Sequence, residues 1–198
     1  MGQRLVITIK NNEKEIATIY YHWSAYTVSA LLEAKELIGC IFNHKDETEK
    51  ELKLRLIRFC EENGGGISGE DYEFAYIRKM YPNEEFKIRG YSRSRGLISL
   101  SEKGMQEAHD WSEGDMTIDL DTETVENAVF CWHEYIEEYN QERKEWDDDF
   151  NGYKLEDLKD IGYDIGSFGI ECIDDIIAAL ENVDGVCRFG SEIFELIE

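Results

Sequence analysis

The chain has 198 residues, 42% hydrophobic and 12% aromatic, and carries 44 acidic against 21 basic side chains for a formal net charge of −23. That apolar supply excludes a disordered acidic tail, and the charge excludes strong direct binding to nucleic acid or to anionic lipid. Residues 1–100 hold fifteen basic and fifteen acidic side chains while residues 101–198 hold six and twenty-nine, so the whole excess lies beyond Leu100.

Leu5, Ile7 and Ile9 alternate with polar neighbours, and Ile16, Thr18, Tyr20 and His22 resume the alternation after Asn11 and Asn12, predicting an opening β-hairpin. Thr27 or Ser29 caps a helix bearing Leu31, Leu32, Ala34, Leu37 and Ile38. A second helix is expected over 46–62, with Leu52, Leu56, Ile57 and Cys60 on its apolar stripe, closed by Gly64, Gly65 and Gly66. A third, over 71–80, stops before Pro82, the only proline. Residues 86–96 form a basic stretch read as a hinge or exposed loop, and 97–100 as a strand. Met116, Ile118 and Leu120 mark a half-buried strand, and 125–131 either its hairpin partner or the start of a helix. Helical patterns follow over 132–146, 155–161 and 170–180, then closing strands over 186–189 and 193–197.

The fold class read from this order is α+β: an N-terminal hairpin followed by helices, then a mixed acidic half with antiparallel strands and helices. The chain divides into a hairpin-plus-helix module (1–82), a basic linker (83–96) and an acidic module (97–198), or forms one continuous domain. The five cysteines are odd in number and never stand as CxxC, which argues for reduced thiols rather than a disulfide framework or zinc site. With no leader pattern and no run of roughly twenty apolar residues, the expected location is the cytoplasm.

Three clusters carry candidate chemistry. Asp147, Asp149, Asn151 and Gly152 match the first half of a calcium loop, but Leu158 stands where a bidentate Glu is required, so a solvated acidic turn is the favoured reading. Asp119 and Asp121 share one face of the expected strand, where paired carboxylates suit magnesium; their neighbours Asp115, Glu123 and Glu126 would repel a phosphate substrate. Lys87, Arg89, Arg93 and Arg95, interleaved with Phe86 and Tyr91, have the composition of an auxiliary basic contact. His22, His44, His109 and His133 share no metal-ligand spacing, and no nucleophile elbow surrounds any Ser, Cys or Thr. No metal, no cofactor and no catalytic group is expected.

The segment Ile19-Tyr20-Tyr21-His22-Trp23-Ser24-Ala25-Tyr26-Thr27, preceded by Met1-Gly2-Gln3-Arg4, crowds four aromatics and a histidine at the junction of hairpin and first helix. Tyr20 and His22 share one strand face and Tyr21 and Trp23 the other, so one set is expected in the core and the other outside. Over about residues 1–40 the chain resembles small hypothetical proteins from phages and mobile elements of Gram-positive bacteria, some of which are anti-CRISPR proteins acting on type II Cas9. The resemblance implies a bacterial host cell and a non-enzymatic inhibitor. It agrees with the charge argument, since Cas9-type effectors hold nucleic acid in positively charged channels. The partner-binding residues expected are Asp119, Asp121, Glu137, Glu138, Glu142, Asp147, Asp148 and Asp149, meeting a basic nucleic-acid-binding protein such as a Cas9 effector. A metal-binding protein or metal-dependent enzyme built on the Asp clusters is the alternative, and the exposed aromatics of 20–26 offer a homodimer contact.

Overall fold

The computed structural model describes residues 4–22, 24–25, 27–90, 96–128 and 186–189. They form an α+β fold around one eight-stranded mixed sheet of order β4-β3-β5-β2-β1-β6-β7-β8. The hairpin is β1 (Leu5–Asn11) and β2 (Lys14–Tyr21), antiparallel with Leu5 opposite Tyr21 and Asn11 opposite Lys14. Helix α1 (Thr27–Ile41), a 3-10 turn (Phe42–His44) and α2 (Glu49–Glu62) follow. Thr48 starts α2 with a reciprocal capping box: its hydroxyl oxygen accepts from the Glu51 amide, while the Glu51 carboxylate accepts from the Thr48 amide.

The chain then builds the other side of the sheet. Strand β3 (Gly66–Ser68) leads into α3 (Asp71–Met80), and β4 (Ile88–Arg89) pairs parallel to β3 at the sheet edge. Strand β5 (Leu97–Ser99) lies between β3 and β2, parallel to the first and antiparallel to the second. Helix α4 (Glu102–Asp110) precedes β6 (Gly114–Asp119), which pairs parallel to β1, and β7 (Thr124–Ala128) and β8 (Val186–Arg188) add antiparallel strands. Described residues on both sides of the basic 83–96 stretch thus share one sheet.

The core follows from the period-two alternation. Leu5, Ile7 and Ile9 of β1, Ile19 of β2, Ile98 of β5, Met116 and Ile118 of β6 and Val125 of β7 point to one face, where Leu37 and Ile41 of α1 and Leu52, Leu56 and Ile57 of α2 cover them. Fully burying one such side chain is worth about 1.5–3 kcal/mol. The opposite face is also covered: Val6, Tyr20 and Leu97 pack with Ala108 of α4, flanked by buried Thr8, Thr18 and Ser99. Tyr20 and Tyr21 are therefore both buried, at 4% and 3% exposure, against the expectation that only one strand face enters the core. Among the described residues no helix is long and apolar enough to cross a membrane.

Candidate functional site

The Asp119 and Asp121 pair does not present two carboxylates on one strand face. Strand β6 ends at Asp119, whose carboxylate accepts from the amides of Asp121 (2.9 Å) and Thr122 (3.0 Å), closing an Asx turn. Asp121 lies in that turn and reaches across to the β1–β2 turn, accepting from the amides of Asn12 (3.1 Å) and Glu13 (2.8 Å). Those two residues hold φ of 53° and 61°, the left-handed pair of a two-residue hairpin turn. Each carboxylate is thus engaged with backbone donors, and each positions a turn.

Acidic residues beyond Leu100 also grip cations of the first half. Glu113 binds the Arg4 guanidinium (2.9 Å) and its amide (2.9 Å), and Glu123 binds Lys45 at 2.6 Å. Lys45 stands 5.3 Å from the centre of the Phe42 ring, and Phe42 meets Phe189 edge to face. Beyond Leu100, the described residues carry Glu102, Glu107, Asp110, Glu113, Asp115, Asp119, Asp121, Glu123 and Glu126 against Lys103 and Arg188, nine acids to two bases. Glu137, Glu138, Glu142, Asp147, Asp148 and Asp149 lie outside the described residues, and with them the half calcium loop.

Of the basic stretch, Lys87 and Arg89 are described and Arg93 and Arg95 lie outside. The Lys87 ammonium donates to the Glu61 carbonyl (3.3 Å) and its amide to the Glu61 carboxylate (2.5 Å), while Arg89 is exposed on edge strand β4. Packing there is close: a β-carbon at Gly66 would stand 2.2 Å from the Lys87 carbonyl oxygen. Lys87 is therefore tied to the end of α2 while still exposed, and Arg89 is exposed on the neighbouring edge strand.

A cluster with no local sequence signal gathers on the α4 side of the sheet. His109 of α4 contacts Asp115 of β6 through Nδ1 (3.0 Å) and Thr8 of β1 through Nε2 (3.2 Å). A carboxylate only accepts, so Nδ1 carries the proton and Nε2 of the neutral ring accepts the Thr8 hydroxyl. The bond to Asp115 raises the His109 pKa against the opposing effect of burial, and the bond to His109 lowers that of Asp115. Carboxylate, imidazole and hydroxyl stand in the order of a hydrolase triad. Thr8, however, is 2% exposed in a central strand, and a substrate carbonyl has no approach to its oxygen. The array therefore clamps α4 to β1 and β6. In the sequence His109 stands beside Asp110, but its partners are Asp115 and Thr8, the latter 101 positions away.

Among the described residues, no group of three or more His, Cys, Asp or Glu side chains is arranged to hold a metal ion. Comparison with known proteins gives no matching family, no matching curated protein and no matching solved structure.

Proposed function

We propose that this chain is a non-enzymatic acidic binding protein that acts in the cytoplasm of a bacterial host cell, occupying a basic groove of a nucleic-acid-handling protein, with a CRISPR effector of the Cas9 type as the preferred partner. The observation that carries the reading is the one-sided charge: −23 in total, all of it beyond Leu100. Two features of the fold support it. The described start of the acidic segment is anchored, because β6 and β7 continue the sheet begun by the hairpin. Arg4 and Lys45 of the first half are each paired with one carboxylate, Glu113 and Glu123, which leaves most of the acidic excess without a cation from them. A concentrated set of carboxylates competes for a phosphate-binding channel through the same counterion release that drives nucleic-acid binding.

The test is DNA cleavage by a purified Cas9-type effector in the presence of the protein, over a range of salt. Inhibition is expected, falling steeply as salt rises. A variant with Glu137, Glu138, Glu142, Asp147, Asp148 and Asp149 changed to Lys should lose it while keeping the melting curve of the parent. Asp119 and Asp121 are left unchanged, since they hold turns. Equal inhibition by parent and variant would remove charge mimicry as the explanation.

A further inference from the structure

The outward side of α2 carries Glu51, Leu54, Arg55, Arg58, Phe59 and Glu62 at three- and four-residue spacing, so they form one stripe along the helix. With Glu47 and with Cys40 of α1 they line an open groove of about 430 Å³ between the two helices. Its floor is apolar: Cys40, Leu54 and Phe59 are partly buried, packed on the core below. Its two guanidiniums are occupied. Arg55 is bound by Glu47 (2.6 Å), and Arg58 by Glu61 (2.6 Å) and Glu84 (2.5 Å) while stacking on Phe86. Among the described residues, counting these partners and Lys87, five carboxylates (Glu47, Glu51, Glu61, Glu62, Glu84) accompany three cations (Arg55, Arg58, Lys87), a local charge of −2.

We propose that this groove is a docking site for a positively charged amphipathic helix of a partner protein. Glu51 and Glu62 stand eleven residues apart on one helix, about 16 Å at 1.5 Å per residue, which is the length of three helical turns. A short apolar floor of Cys40, Leu54 and Phe59, with Glu51 and Glu62 beyond its two ends, matches a helix whose apolar face is bordered by Lys or Arg. Among the described lining residues Arg55 and Arg58 are already paired, so an acidic occupant finds no free cation in them and meets like charge at both ends. The site lies on the charge-balanced half, so it goes beyond the acidic-half contact and stands or falls separately from it.

The Cys40 thiol is the reporter. Maleimide labelling, mapped by peptide mass, is followed with a synthetic leucine–lysine amphipathic helix and with its leucine–glutamate counterpart as probes. The lysine helix is drawn to the acidic half in any case, so protection at Cys40, rather than binding as such, is what counts. The lysine helix is expected to slow labelling of Cys40 and the glutamate helix to leave it unchanged. Glu62→Lys, at an exposed position, should weaken protection roughly threefold to fivefold, the scale of an exposed ion pair. The six-residue Lys variant of the acidic half should still be protected. Four results each overturn the proposal: equal protection by both probes; an unchanged Cys40 rate with the lysine helix bound; protection that survives Glu62→Lys but vanishes in the acidic-half variant; or salt-sensitive protection without any probe, which would assign the groove to a segment of this chain.

Discussion

Glu73 and Gly104 are fitted to each other: a β-carbon at position 104 would stand 2.3 Å from the Glu73 carboxylate. That carboxylate is fully buried and accepts from the Leu100 amide (2.6 Å), the Ser101 amide (3.2 Å) and the Ser101 hydroxyl (2.5 Å), while the Ser101 oxygen accepts from the Gly104 amide. Burial pushes the Glu73 pKa up and these donors pull it back. One side chain of α3 thus anchors the first turn of α4, and only a glycine lets it approach. Gly104→Ala is expected to cost about 2–4 kcal/mol by displacing a buried, hydrogen-bonded carboxylate, and Glu73→Gln about 1–3 kcal/mol by turning a donor toward donors. Urea unfolding measures both. A Gly104→Ala protein as stable as the parent would show that the approach of Glu73 to α4 is not required.

The His109–Asp115 pair gives stability a pH window. His109 binds its proton above the ordinary value of 6.5, so its contribution is full below pH 6.5 and is lost as pH rises through the elevated folded value. Asp115 ionises below the ordinary 3.8, so its share is present above that pH and is lost as pH falls through the depressed value. Glu15 and Asp110 reinforce the histidine's shift. Both side chains are partly exposed, at 32% and 50%, so solvent screening limits the pair to about 0.5–1 kcal/mol. The melting temperature lost in Asp115→Asn should therefore be larger at about pH 5 than at a pH above the raised histidine value, since the ion pair fades as the imidazole loses its proton. An equal loss at both would remove the ion pair as its origin.

The β1–β2 turn can be tested in two directions. Asn12 and Glu13 both sit at positive φ, where a side chain crowds the backbone and glycine does not. Glu13→Gly is expected to raise stability by roughly 0.5–1 kcal/mol, since Asn-Gly is the preferred pair for this turn. Asp121→Ala removes two acceptor contacts to the same turn and is expected to lower it by about 1–2 kcal/mol. Thermal melts of the two single variants and the double variant separate backbone strain from the loss of the Asp121 contacts.

The elements legible in the sequence were those with a long periodic pattern and a clear stop. The hairpin, α1, α2, α3 and the Met116–Leu120 alternation stood out because each buries a continuous face. Strand β3 was not legible. It is three residues long, begins in the Gly64–Gly66 run that reads as a helix terminator, and exists by pairing with β4 and β5. Helix α4 was missed for another reason: it covers the smaller face of the sheet and offers only Ala108 and Gly104 as buried residues, with Ser101 as its one local signal, an N-cap. Because α4 leaves so little trace in the sequence, neither the burial of both Tyr20 and Tyr21 nor the His109 array is legible there. The Asp119 and Asp121 spacing read as a strand face because their acceptor roles depend on where the strand ends and on a turn more than a hundred residues earlier.

The parallel pairing of β1 with β6 sets the order in which this molecule assembles. Leu5 aligns with Gly114 and Lys10 with Asp119, so the central strand cannot acquire this neighbour until more than a hundred further residues exist. During synthesis the hairpin emerges before either of its neighbours, since its other flank waits for β5. Both edges of an apolar two-stranded ribbon stay open meanwhile, and such non-local closure is slow and prone to intermolecular pairing. The bridges from Arg4 to Glu113 and from Asp121 back to Asn12 and Glu13 form only once β6 has docked. They act as latches on the docking of β6, so their loss should speed unfolding more than it slows folding.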